Sequence, residues 1–262
     1  MVLYAVKSSL PAKFCLIIVF FLPVPVFFSC GLDTYIVMRN PEAVVHSPSY
    51  DTTDYAERYF EFRTNEDTGS FYPDDFVFIG TDVYYKIYNN ISTLNSERST
   101  LVSLSNSTSS ANAPVKMTDP ESSGGYGYQP LRCAQSRDSV LIPARTGSNQ
   151  SVFIRLTDYL TMDDFAARIM VDDVPLGGGS SSVPIRNLDA RTFNFGRSGN
   201  ESNKIPASDD LDVKFSSSAT EEGCWYVAMF AVGVGRDVTY TTYYSNILYL
   251  GTVTITEGSE YN

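Results

Sequence analysis

The sequence predicts a mainly β protein in which two sheets pack as a β-sandwich. Aromatic residues make up 13% of the 262 residues, and nearly all are among the 18 tyrosines and 16 phenylalanines, which favour pleated surfaces. After residue 30, short runs of alternating polarity recur between turn signals, and no long amphipathic helix is evident. The 43% hydrophobic content excludes a wholly disordered chain.

Residues 1–29 have the features of a cleaved export signal. Lys7 and Lys13 provide positive charge without nearby acids, and an apolar run follows from residue 14 to residue 28. This run is shorter than the ~20 residues that a membrane-spanning helix requires, and two prolines interrupt its second half. A signal peptide therefore fits better than a permanent transmembrane anchor.

The end of this run, Phe27-Phe28-Ser29-Cys30, resembles the lipoprotein signal of bacteria in the relaxed form seen in spirochaetes. The resemblance implies that Cys30 becomes the first residue of the mature chain and carries a diacylglycerol and usually an N-acyl chain. Residues 80–88 are similar to uncharacterised spirochaete lipoproteins and imply the same location, the bacterial cell envelope, on its periplasmic or outer-surface face. The alternative is an ordinary secretory signal cut near Ser29, which leaves Cys30 as a thiol.

The charge balance limits the partners of the protein. The net charge of −11 argues against nucleic-acid binding, which needs clustered Lys and Arg. Loss of Lys7 and Lys13 with the signal would change it to −13. An anionic bilayer repels a protein with this negative charge. The lipid attached to Cys30, rather than a basic patch, must therefore hold the protein on its membrane.

Residues 30–58 are predicted to form a tether and a first edge strand, followed by one sandwich domain over residues 59–262. Strands are predicted at residues 59–63, 76–79 and 83–88. The last of these has two faces. Val83, Tyr85 and Ile87 share one face, while the face with Tyr84, Lys86 and Tyr88 is expected to be half exposed.

Residues 91–125 are rich in Ser, Thr and Asn and are predicted to form a long loop insertion with one helical turn around residues 91–99. A domain break here would leave too few strands before it to fold alone, which favours a single domain.

The second half of the domain contains the clearest strand signals. Residues 225–232 are apolar on both faces, which predicts a central strand, and residues 246–255 form the last strand. The further predictions are strands at 152–156, 191–195 and 211–215, a helical turn at 161–165, a strand or hairpin around Asp172-Asp173, and a flexible loop at 177–182.

The order of these strands resembles an immunoglobulin-like or fibronectin type III domain with insertions. The resemblance implies that residues 83–88 form the third strand and that residues 225–232 and 246–255 form the last two. The early tryptophan of the family is missing.

Two cysteines remain in the body of the chain once Cys15 leaves with the signal and Cys30 carries lipid. A disulfide between Cys133 and Cys224 would close a loop of roughly 90 residues and contribute a few kcal/mol. Two separate buried thiols fit the apolar surroundings of Cys224 equally well.

Few side chains suited to catalysis are present, so no enzyme activity, cofactor or metal site is predicted. His46 is the only histidine, which excludes histidine-rich zinc sites, and no G-x-S-x-G motif occurs. Acidic pairs are the remaining candidates, either for a carboxylate-dependent glycan hydrolase or for Ca²⁺, but they are also common in turns and at helix N-termini. The pairs are Asp74-Asp75, Asp163-Asp164, Asp172-Asp173 and Asp209-Asp210, the last with Asp212 nearby.

A third function class, a secreted eukaryotic glycoprotein, would use the N-x-S/T sequons. These begin at Asn90, Asn106, Asn149 and Asn200.

The connection at residues 233–245 is the predicted binding surface. It is rich in Tyr, Thr, Ser and Gly, and on a sandwich it projects from one end, as antibody recognition loops do. Tyr240, Tyr243, Tyr244 and Arg236 are the predicted contacts to a protein or glycan partner, with at least two of the three tyrosines exposed. The alternative is that these rings pack on the core.

Overall fold

The computed structural model describes residues 38–66, 72, 75–107, 112–158, 165–186 and 190–258. The predicted signal peptide, Cys30, Asp74 and Asp163-Asp164 lie outside the described residues, as does all but the last residue of the predicted turn at 161–165. Within the described ranges, no helix combines the length and apolarity needed to cross a bilayer.

The protein is mainly β, as predicted, and its strands form two sheets. The five-stranded sheet has the order β1-β2-β6-β7-β8 and is antiparallel throughout. These strands are β1 (Ala43–His46), β2 (Phe60–Arg63), β6 (Ser151–Arg155), β7 (Arg168–Val171) and β8 (Val174–Pro175). Strand β1, at one edge of this sheet, lies within residues 30–58, where the sequence analysis expects a first edge strand.

The seven-stranded sheet is built on two long central strands, β3 (Phe76–Tyr88) and β10 (Cys224–Asp237), which pair antiparallel along most of their length. On the outer edge of β10 lie β11 (Thr242–Tyr244) and β12 (Leu248–Thr256). On the outer edge of β3 lie β4 (Gln129–Pro130), β5 (Ile142–Pro143) and the parallel strand β9 (Val213–Lys214).

Both faces of β10 are buried, which confirms the prediction of a central strand. Trp225, Val227, Met229 and Ala231 belong to the core that the seven-stranded sheet shares with Phe60, Phe62, Val152 and Ile154 of the five-stranded sheet. The alternate residues, from Tyr226 to Val234, belong to a second core beneath the helices. The molecule therefore has a helical layer on one face of the seven-stranded sheet and the five-stranded sheet on the other.

Strand β3 is continuous, whereas the sequence predicted two runs separated by Gly80-Thr81-Asp82. Gly80 makes this continuity sterically feasible: its φ is +146°, and a Cβ there would lie 2.2 Å from the carbonyl oxygen of Ile142 on the adjacent β5. Val234 pairs with Gly80 and Gly235 pairs with Phe78, so Ile79 is an extra residue in a β-bulge.

The insertion contains two helices, α1 (Ile91–Ser105) and α2 (Asn112–Thr118), so the expectation of a single helical turn was wrong. The side chain of Asn90 caps α1 by accepting a 3.0 Å hydrogen bond from the backbone N–H of Thr93. The fully packed face of α1 consists of Leu94, Glu97 and Leu101, which is too little apolar surface to give an amphipathic signal.

The helices also overturn the expected half exposure of Tyr84, Lys86 and Tyr88. All three side chains are buried, because this face of β3 lies in the core beneath the helices. The Lys86 ammonium group donates hydrogen bonds to Glu121 and to the carbonyl of Tyr126, which satisfies its charge at 1% exposure.

Four further predictions have mixed outcomes. A hairpin does turn at Asp172-Asp173, where both residues have positive φ angles of 49° and 64°. Residues 191–195 contain no strand, and only Val213–Lys214 is a strand within residues 211–215. Residues 179–182 form a short 3₁₀ turn rather than an irregular loop.

Candidate functional site

The hairpin of β10 and β11 projects from one end of the seven-stranded sheet, at the predicted binding connection. Val234, Gly235 and Arg236 pair with Tyr244, Tyr243 and Thr242, and residues 237–241 form the tip. This is the end of β10 at which Asp237 pairs with Phe76, the first residue of β3.

The carboxylate of Asp237 organises this tip. Its Oδ1 accepts hydrogen bonds from the backbone N–H of Thr239 (2.8 Å), the Thr239 hydroxyl (2.7 Å) and the backbone N–H of Thr241 (2.9 Å). Its Oδ2 accepts a 3.0 Å hydrogen bond from the hydroxyl of Tyr243. These bonds, chiefly that from the Thr239 side chain, lower the pKa of Asp237. The loop is thus ordered by its own side chains.

The three tyrosines differ in their surroundings, and the expectation that at least two are exposed was wrong. Only Tyr240 is exposed, at 78%, and its φ of 64° is left-handed. Tyr243 is half-buried, with its ring 5.8 Å from the ring of Phe76. Tyr244 is half-buried against the core beneath the helices. Alternation along β11 turns these two rings to opposite faces.

An open groove of about 410 Å³ lies beside the tip, and Arg236 and Tyr240 both line it. The guanidinium carbon of Arg236 is 5.9 Å from the ring centroid of Tyr240. Val77 and Val238, exposed at 63% and 66%, supply further apolar surface. The lining residues are Val77, Ile79, Arg236, Asp237, Val238 and Tyr240, which we call the tip groove.

The tip groove continues a sheet face that the helices cover elsewhere. Ile79 packs at the margin of the core beneath the helices, whereas Val77, two residues earlier on β3, is exposed. Val77 and Val238 were missed by the sequence analysis, because a valine in a strand is typical of a core and nothing in its neighbours shows where the helical layer ends.

A second depression, of about 390 Å³, lies near the other end of β3, and two of the carboxylates that line it, Glu121 and Asp210, form ion pairs. Glu121 accepts hydrogen bonds from Lys214 (2.7 Å) and from Lys86. Asp210 pairs with Arg186 (2.7 Å) and Arg191 (2.8 Å). Burial raises the pKa of each carboxyl group, but the hydrogen bonds outweigh it and hold both pKa values below the ordinary range.

Two further acids that the sequence pointed to, Asp212 and Asp172, also have structural partners. Asp212 is fully buried and accepts hydrogen bonds from Tyr85 (2.7 Å) and Arg186 (2.6 and 2.8 Å). The pKa of Asp172 is lowered by the backbone N–H of Ser151 and by Arg145. Among the residues that the structure describes, no three His, Cys, Asp or Glu side chains cluster as metal ligands would.

The predicted disulfide is absent from the structure, in which Cys133 and Cys224 are both free and buried. The two thiols have separate surroundings. The sulfur of Cys133 lies 3.4 Å from the hydroxyl of Ser136, and that of Cys224 lies 3.9 Å from the hydroxyl of Thr256 on β12. Each therefore behaves as a small apolar side chain within its own core region.

His46 and two of the sequon asparagines have structural roles. The imidazole of His46 stacks on Tyr59 at 3.9 Å, and its Nε2 is 2.9 Å from the carbonyl oxygen of Glu57. The amide nitrogens of Asn90 and Asn149, which a glycan would occupy, donate hydrogen bonds to the carbonyl of Ser218 and to Glu42. These contacts argue against the glycoprotein alternative at these two positions.

The exposed tip groove is thus the part of the described surface that combines apolar area, an arginine and a pre-ordered loop. No protein-family model, curated protein or solved structure matches this chain.

Proposed function

We propose that this chain is a lipid-anchored protein of the bacterial cell envelope that acts by binding rather than by catalysis. The anchor is Cys30, and the binding surface is the tip groove with Tyr240 and Arg236. The observation that carries the binding role is the exposure of Val77, Val238 and Tyr240 around one groove, next to a loop that Asp237 holds in place.

The anchor is supported by the sequence alone. Phe27-Phe28-Ser29-Cys30 follows an apolar run, and the body of the protein is too acidic to be held by anionic headgroups. Acyl chains contribute about 0.8 kcal/mol for each buried CH₂ group, so that two or three chains give a stable attachment.

The preference for binding over catalysis is supported by two of the acids that line the second depression. A glycan hydrolase needs one carboxyl group that keeps its proton near neutral pH. Glu121 and Asp210, which line the second depression, have lowered pKa values and are therefore ionised there. We accordingly favour binding over hydrolysis.

Detergent phase partition tests the anchor. The wild-type protein is expected in the detergent phase and the Cys30→Ala variant in the aqueous phase. Cys15→Ala is the matched control: it removes a cysteine from the predicted signal, and we expect it to partition as the wild type does. A Cys30→Ala protein that stays in the detergent phase would contradict the proposal.

A further inference from the structure

The chain enters the described structure at the base of the β10–β11 hairpin. A Cβ atom on Gly233 would lie 3.2 Å from the carbonyl oxygen of Arg39, so this carbonyl lies against β10 at that point. The backbone N–H of Ser245, which follows β11, donates a 2.9 Å hydrogen bond to the carbonyl of Gly233. The N-terminal connection and the hairpin therefore share one end of the sheet.

The length of the connection limits how far an anchor at Cys30 can lie from this end. Residues 31–38 are eight residues, and fully extended they span at most about 29 Å. The hairpin itself extends from Gly233 to Val238, about 17 Å at 3.4 Å per residue. A bilayer that holds Cys30 is therefore within reach of the hairpin tip.

The chemistry of the tip fits the boundary between headgroups and acyl chains. Val238 and Tyr240 are the exposed apolar residues of the tip, and tyrosine is enriched at membrane interfaces, where its ring is buried and its hydroxyl remains hydrated. The exposed Arg236 can keep its apolar stem at this boundary and reach a phosphate with its guanidinium.

The charge around the tip favours a zwitterionic surface over an anionic one. The charged side chains that line the tip groove are Arg236 and Asp237, which balance each other. Asp75 adds a negative charge that acts on Tyr243, and the whole protein carries −11. Apolar contact must therefore supply the attraction, since long-range charge does not.

Two features strengthen the binding of the small hairpin tip to a bilayer. The hydrogen bonds to Asp237 hold the loop before binding, so little conformational entropy is lost when Tyr240 inserts. The lipid at Cys30 confines the tip near the bilayer, which makes the second contact intramolecular and raises its effective concentration.

We propose that the hairpin tip is a second membrane contact, which places Val238 and Tyr240 in the interface of the bilayer that holds Cys30, with Arg236 at the lipid phosphates. This inference rests on the proposed function, because the lipid on Cys30 brings the bilayer within reach. The ligand of the tip groove is then a zwitterionic lipid surface.

The test uses the full, acylated protein purified from membranes and placed in phosphatidylcholine vesicles with brominated acyl chains. Tyr240→Trp puts a fluorophore at the tip, and the single native Trp225 is buried and gives a constant background. Leu211→Trp is the matched control, because Leu211 is 72% exposed beside β9, at the opposite end of β3 from Val77. We expect severalfold stronger quenching at position 240 than at 211, and equal or absent quenching would overturn the proposal.

Flotation of the same vesicles separates the two proposals. If the Tyr240→Trp protein floats while its introduced indole stays unquenched, the tip contact alone is overturned, and the tip groove is left to a second copy of the chain or to a soluble partner. Protein that does not float overturns the anchor and the tip contact together. Adding Val238→Asp to the Tyr240→Trp variant should abolish the quenching without releasing the protein, since Val238 is exposed and its change leaves the core intact.

Discussion

The hydroxyl of Tyr243 donates a 3.0 Å hydrogen bond to Oδ2 of Asp237, across the base of the hairpin tip that carries Tyr240. The other oxygen of the same carboxylate accepts from both Thr239 and Thr241. One acid, Asp237, thus links the strand pairing of β10 and β11 to the conformation of the loop between them.

The first prediction concerns this carboxylate. The pKa of Asp237 is lowered in the folded protein. The ionised carboxylate therefore stabilises the folded state at pH values above the ordinary aspartate pKa, and this stabilisation is lost as the pH falls through the lowered pKa. Asp237→Asn keeps an acceptor but removes the charge, and we expect faster hydrogen exchange of the Thr239 and Thr241 amides at neutral pH. The wild type should show the same acceleration only in acid, and unchanged exchange in the variant would show that the carboxylate does not order the loop.

The second prediction separates the tyrosines by stability. Tyr240→Ala removes an exposed ring and should leave the melting temperature unchanged. Tyr244→Ala removes a half-buried ring from the core beneath the helices, and it should lower the free energy of unfolding by on the order of 1 kcal/mol. Thermal unfolding of both variants checks this, and an equal loss for the two would contradict the difference in burial.

The third prediction concerns Glu97, the acid in the buried face of α1. Burial raises its pKa, although the Tyr88 hydroxyl donates a 2.7 Å hydrogen bond to it and Lys86 opposes the shift. The folded protein therefore holds a proton there more tightly than the unfolded chain, and stability falls as the pH rises through the interval between the two pKa values.

Glu97→Gln removes this titration while keeping an acceptor for Tyr88. The variant should be more stable than the wild type at neutral pH and should show a flatter dependence of stability on pH. Denaturant unfolding across pH 4 to 8 measures both. A variant with the wild-type pH profile would show that Glu97 does not titrate with folding.

The fourth prediction concerns the two thiols. Alkylation of the unfolded protein without a reductant should label Cys133 and Cys224, because both are free. In the folded protein, labelling should be slow, since both are buried and burial raises the pKa of the Cys224 thiol. Cys133→Ser and Cys224→Ser variants each assign one label, and an unfolded chain that takes no label would mean that the disulfide does form.

The sequence predicts the strands well where the side chains on each face of a strand share one polarity. Residues 225–232 are apolar on both faces and do form a central strand between two cores, and the turn residues Asp172 and Asp173 mark a real hairpin. Such signals are local, because they depend on side-chain alternation and on the φ angles that a turn requires.

The helical layer could not be predicted in the same way. The packed face of α1 contains two leucines and Glu97, and the β3 face beneath it contains Lys86, so neither element has an apolar stripe of its own. They are buried by contacts that join separate elements, which include the hydrogen bond from Tyr88 on β3 to Glu97 on α1 and the ion pair of Lys86 with Glu121, which follows α2. The extent of the tip groove depends on where this layer ends, and that is also a tertiary property.

The mass of the intact mature protein, purified from its native membrane, tests the central claim most directly. We expect a chain that begins at Cys30, with the added mass of a diacylglycerol and an N-acyl group on that residue. A chain cut near Ser29 with an unmodified thiol at Cys30, or a chain that retains residues 1–29, would contradict it.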